Sequence, residues 1–138
     1  MILGAFINAP PRGADGRAEQ PNAVLVVEDE PLVRALAVDV LEEAGFDVLE
    51  AATADYALVV LEKREDICVL LTDVDMPGRL NGFQLARIVQ DHFHRVRVVI
   101  VSGKARPHRN DIAPDVIFIP TPYKLSEIVR TVEALSGR

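Results

Sequence analysis

The sequence predicts a doubly wound α/β domain, and three observations carry that prediction. Short apolar runs of strand length alternate along the chain with segments of helical period. The runs are apolar throughout instead of alternating with polar residues, the mark of parallel strands covered on both faces. With 138 residues, 49% hydrophobic and 26% charged, the chain can fill one core but not two ordinary ones.

The elements follow in order. Ala23 to Val27 is a continuous apolar run, after which Glu30-Pro31 opens a helix whose Val33, Leu36, Ala37, Val40 and Ala44 share a face. Gly45 ends that helix from the C′ position. Asp47 to Leu49 forms a short second strand, and Ala54, Ala57, Leu58 and Leu61 mark the second helix. Ile67 to Leu71 is a stronger strand, followed by a loop with Met76-Pro77-Gly78 and a helix from Gly82 to His92 that aligns Leu85, Ile88 and Val89. Val96 to Val101 is the fourth strand, and Lys104 to Pro114, broken by Pro and Asn, holds at most a short helix. Val116 to Ile119 is the fifth strand, and Lys124 to Leu135 a helix facing inward with Leu125, Ile128, Val129, Val132 and Leu135. Residues 1–21 have no such period after Met1 to Ile7 and read as a flexible extension to a domain spanning 22–136; the alternative is an added edge strand of Ile2, Leu3, Phe6 and Ile7.

Composition excludes several classes. Fifteen Lys and Arg against 21 Asp and Glu give a formal charge of −6, which discourages non-specific attraction to nucleic acid or an anionic membrane. No run approaches the roughly 18 apolar residues of a membrane span. A lone cysteine, Cys68, forms no internal disulfide, and MILGAFINAPPR lacks the basic start of a secretory signal, so the expected setting is cytoplasmic.

In doubly wound sheets the ligand site lies beyond the carboxyl ends of the strands. Those ends carry Glu28, Asp29 and Glu30, then Asp73 and Asp75, then Ser102 and Gly103, then Thr121-Pro122-Tyr123. Any one acid is explained as a helix-start or turn residue. Taken together, four carboxylates converging on one crevice resist ionisation unless a cation joins them, and oxygen-only ligands suit Mg²⁺ or Mn²⁺. A carboxylate beside such a metal can attack a phosphoryl group, and Asp73, directly after the most apolar strand, is the candidate nucleophile.

These residues resemble the receiver domains of two-component response regulators across about residues 22–136: VLVVEDE at Val24 to Glu30, LLTDVDMPG at Leu70 to Gly78, Asn81-Gly82, VVIVSG at Val98 to Gly103, and PTPY at Pro120 to Tyr123. The resemblance implies a flavodoxin-like five-stranded sheet, order 2-1-3-4-5, with five helices. It implies Asp73 as phosphoacceptor and Mg²⁺ held by Glu28, Asp29, Asp73 and the backbone carbonyl of Asp75. It further implies Ser102 and Phe118 as switch residues, a cis Thr121-Pro122 bond, and a sensor histidine kinase or histidine phosphotransfer protein as phosphodonor. With no effector segment after Leu135, the output is expected to be a downstream protein target or a phosphorelay.

One departure matters. The family places a lysine before the last-loop proline, where this chain has Thr121. A charge-assisted hydrogen bond of that kind contributes roughly 1.5 to 3 kcal/mol, against about 5.5 kcal/mol needed to invert a two-state population from 1:99 to 99:1. Lys104 is a candidate substitute in the phosphoryl pocket; the bland reading makes it a solvated loop lysine. Two other functions compete. One is a degenerate receiver acting as a phosphate-independent interaction module. The other is a haloacid dehalogenase-like phosphatase, whose DxD motif LLTDVDMP also resembles, with Asp73 as nucleophile and Asp75 as general acid. That reading leaves Glu28-Asp29 unexplained. His92 and His94, at i and i+2, do not share a helix face and predict no metal site; Cys68 reads as a small core residue. Arg106, His108 and Arg109 form a small basic cluster whose simplest reading is an exposed loop.

Overall fold

In the computed structural model, which describes residues 22–103 and 115–137, the strands are β1 (Ala23–Val27), β2 (Asp47–Ala51), β3 (Ile67–Asp73), β4 (Arg97–Ser102) and β5 (Ile117–Pro120). They form one parallel sheet in the order β2-β1-β3-β4-β5, so the strand order reverses between β1 and β3. The helices among the described residues are α1 (Pro31–Glu43), α2 (Ala54–Lys63), α3 (Gly82–His92) and α4 (Leu125–Ser136). This is the expected doubly wound architecture. The short helix expected within Lys104 to Pro114, the 1–21 extension with its alternative edge strand, and the Arg106, His108 and Arg109 cluster lie outside the described residues. No described helix is long and apolar enough to cross a membrane.

Because side chains alternate along a strand, each central strand feeds two cores. Leu25, Val27, Leu70, Val98 and Ile100 pack with Leu61 of α2 and Leu85 and Val89 of α3. Val24, Val26, Val69, Leu71, Val99 and Val101 pack on the other face with Leu41 of α1 and Ile128 and Val132 of α4. Both faces being dry is the reason the strands are apolar throughout. Burying a Leu or Ile fully contributes about 1.5–3 kcal/mol relative to leaving it exposed.

Local chemistry sets the helix limits. At the end of α1, Gly45 adopts φ 97°, and the Gly45 and Phe46 amides donate to the Glu42 and Leu41 carbonyls, closing the helix as expected. Thr53 caps α2 by accepting the Tyr56 amide at 3.1 Å. Asn81 and Gln84 form a reciprocal capping box at α3, each side chain accepting the other's amide at 2.8–2.9 Å.

Three expectations are corrected. The buried face of α1 is Ala37, Val38 and Leu41, whereas Val33 and Leu36, expected to face inward, are exposed along with Leu32. Apolar residues surround this helix, so period alone could not choose between adjacent faces. β3 runs past Leu71 to Asp73 because Thr72 and Asp73 still pair with Ile100 and Val101 of β4; Thr72, polar yet fully buried, donates its hydroxyl to the Asp73 carbonyl at 2.8 Å. β2 reaches Ala51, paired to Val27, but as an edge strand it leaves Glu50 exposed instead of being apolar throughout.

Candidate functional site

The carboxyl ends of β1 and β3, neighbours in the sheet, place the acids. Glu28, directly after β1, is buried and donates its amide to the Ala51 carbonyl at 3.0 Å. Its Oε2 accepts the Glu30 amide at 3.0 Å. Asp73 ends β3, and its Oδ1 accepts the Val74 amide at 2.7 Å. One carboxylate oxygen from each of Glu28, Asp29 and Asp73 lies within 4.8 Å of the others. The acids expected on one crevice do line a common cleft, and three of them form its close cluster. Asp75 and Glu30 line the same cleft, but both are exposed, one in the loop after β3 and the other capping α1.

The cleft encloses about 370 Å³ and is walled by these acids with Ser102, Gly103, Thr121 and Tyr123. Ser102, at the end of β4, is buried, and its carbonyl accepts the Thr121 amide at 3.0 Å. The Thr121 hydroxyl turns to that same carbonyl at 3.5 Å. The Thr121-Pro122 peptide is cis, as expected. Pro122 is exposed and does not line the cleft. Phe118 also stands apart, in β5, stacked on Phe83 with ring centroids 6.5 Å apart. Lys104 lies outside the described residues. Among the described lining residues none is Lys or Arg.

The electrostatics reflect that imbalance. Burial, with further contributions from the Asp73 and Asp29 charges, pushes the Glu28 carboxyl up to about 7, against the opposing hydrogen bond from the Glu30 amide. Asp73 is also raised, first by burial and then by Asp75 and Asp29, while the Val74 amide pulls it back. Tyr123 is raised by burial and by the facing charges of Glu28 and Asp73. A carboxylate cluster this poorly compensated fits a hard divalent cation, which restores ionisation and takes oxygen ligands.

Sequence reasoning gave no role to three residues that shape the site. Gly82 packs so tightly under the loop that a Cβ there would collide with the Asp73 carbonyl oxygen and lie 2.8 Å from Val74 Cα; Asn81-Gly82 was legible as a motif but its purpose was not. Tyr123 spans from the apolar groove beside Ile128 to the acidic cleft. Arg34 donates from Nη1 to the Glu28 carbonyl at 2.6 Å. Cys68 is buried in β3 as expected, and exposed His94 donates Nε2 to the Asp91 carbonyl at 2.9 Å.

Comparison with known proteins points the same way. The response regulator receiver domain family matches residues 24–117. The chain is similar to the sensor kinase CckA of Brucella abortus (strain 2308), 31% identical over 116 residues, covering 81% of this chain and 12% of that protein. It is also similar to the response regulator receiver protein CpdR of the same organism, 28% identical over 115 residues, covering 81% of this chain and 94% of CpdR. The chain spans half or less of the length of the first curated relatives it matches, from 12% to 49%. Among solved structures, the receiver domain of the hybrid histidine kinase CckA superposes with a TM-score of 0.69 at 31% identity, covering 82% of this chain and 97% of that one.

Proposed function

Because this chain belongs to the response regulator receiver domain family, we propose that it accepts a phosphoryl group on Asp73 from a sensor histidine kinase or a histidine phosphotransfer protein. The observation that carries the reading is the approach of one oxygen each from Glu28, Asp29 and Asp73 within 4.8 Å, at adjacent strand ends. The family is one of signalling domains, which sets aside the phosphatase reading.

Glu28, Asp29 and Asp73, with the backbone carbonyl of Asp75, would hold Mg²⁺ or Mn²⁺. Such an ion, when bound, would offset negative charge on the transferring oxygens. An Asp73 carboxylate oxygen attacks phosphorus, forming an O–P bond as the N–P bond of the donor phosphohistidine breaks. The imidazole departs with the bonding pair and takes a proton from solvent. The Val74 amide, 2.7 Å from Oδ1, fixes the orientation in which the carboxylate meets the phosphorus. Ser102 then donates its hydroxyl to a phosphoryl oxygen, and Phe118 moves against Phe83 to report the change to a downstream protein target. The setting is the cytoplasm, and residues 22–136 are the working domain.

Thr121 supports a second reading. With Thr121 in the last loop and no Lys or Arg among the described lining residues, no described cation meets the phosphoryl oxygens. A phosphate-independent interaction module is the outcome if that contact is indispensable. Intact mass and amide NMR spectra after incubation with Mg²⁺ and acetyl phosphate test both. One phosphoryl group per chain, absent in Asp73→Asn, with shifts reaching Ser102 and Phe118, is expected. An adduct without shifts selects the second reading, and no adduct overturns the first.

A further inference from the structure

Arg34 reaches the acidic loop from behind, outside the residues that line the cleft. It stands in the first turn of α1, where its amide donates to the Glu30 carbonyl at 2.9 Å. Its guanidinium makes two bonds in different directions: Nη1 to the Glu28 carbonyl at 2.6 Å, and Nε to Glu50 Oε1 in β2 at 2.9 Å. That planar fork suits two acceptors at a fixed angle. Glu28 is thereby tied at both ends of its backbone, since its amide already pairs with Ala51. The carbonyl that Arg34 holds belongs to the peptide joining Glu28 to Asp29, two of the three residues whose carboxylate oxygens converge. Rotating that peptide would turn one carboxylate relative to the other.

We propose that Arg34, anchored by Glu50, is a positioning residue that fixes the Glu28-Asp29 peptide plane and so sets the affinity of the Glu28, Asp29 and Asp73 cluster for a divalent cation. This rests on the reading of that cluster as a Mg²⁺ site. Charge and geometry act here with opposite signs. As a charge alone, a guanidinium near the cluster repels Mg²⁺, and removing it would tighten binding. As a clamp, its removal loosens the ligands and weakens binding.

Calorimetric Mg²⁺ titration of wild type, Arg34→Met, Arg34→Lys, Glu50→Ala and the Arg34→Met/Glu50→Ala double variant separates the two. Partners behind metal ligands typically change affinity at least about tenfold when removed, so Arg34→Met is expected to bind Mg²⁺ about tenfold more weakly. Arg34→Lys keeps the charge but not the fork and is expected to recover little. Glu50→Ala, which removes an exposed anchor, is expected to cost about two- to fivefold, and to cost nothing further once Arg34 is gone. If Arg34→Met does not fold, Arg34→Lys and Glu50→Ala carry the test alone. The Asp29 amide ¹⁵N shift is a metal-free readout of the same peptide and should move in each variant. Binding as tight as wild type or tighter in the Arg34 variants, or an unmoved Asp29 amide, overturns the clamp. Wild-type protein that does not bind Mg²⁺ overturns the reading of the cluster itself, and the affinity role of Arg34 with it.

Discussion

Glu28 makes Mg²⁺ affinity a function of pH in the neutral range. With its carboxyl pushed up to about 7, the ionised fraction is about 9% at pH 6, half at pH 7 and about 91% at pH 8. A metal takes the ionised ligand, so the apparent affinity at pH 6 should be about tenfold weaker than at pH 8, and binding at pH 6 should release about 0.9 proton from Glu28. Stability follows the same group. Its folded value lies above the ordinary 4.5, so the metal-free protein gains from Glu28 protonation below about pH 4.5 and loses that gain as pH rises through about 7. The loss is at most about 3 kcal/mol. Saturating Mg²⁺ should remove most of it. Calorimetric titration in two buffers of different ionisation enthalpy measures the released proton, and melting temperatures from pH 5 to 8 with and without Mg²⁺ follow the stability. Affinity unchanged between pH 6 and 8, with no proton released at pH 6, would refute the assignment of the raised carboxyl to the metal site.

Two further substitutions probe the frame around Asp73. Thr121→Lys restores a cation to the last loop and should enlarge the amide shifts that beryllofluoride induces in β5 and α4, drawing on a bond of about 1.5–3 kcal/mol; equal shifts in both proteins would show that the threonine is no handicap. Gly82→Ala drives a methyl group into the Asp73 carbonyl and should destabilise the fold by about 1–3 kcal/mol in urea unfolding. It should also weaken acetyl phosphate labelling, and a neutral result would mean that the loop yields freely.

Much of this was legible from the residue pattern. Ala23 to Val27 and Val96 to Val101 read as buried strands because both faces are covered, exposed Arg97 apart, and the acids stand out because they follow such runs directly. What was illegible depends on partners distant in sequence. The inward face of α1 is chosen by contacts with the sheet and α4, since apolar residues occur around the whole helix. Asp75 counts with Asp73 among the strand-end acids, yet one ends a strand and the other lies two residues into an exposed loop. Arg34 gave no signal because its acceptors, a carbonyl six residues back and a carboxylate sixteen residues on, meet only when α1 folds over β1 and β2.

The sheet that feeds two cores also divides the molecule into compartments. A void opened beside Leu61 cannot be refilled from the α1 and α4 side, for the hydrogen-bonded backbone of five strands stands between them. Changes in side-chain volume must therefore be compensated within one compartment, and each can drift without consulting the other. Along the carboxyl edge this independence ends: Asp73, Ser102 and Tyr123 bring both sides of the wall to a single cleft, so an event there is felt by two otherwise insulated interiors at once.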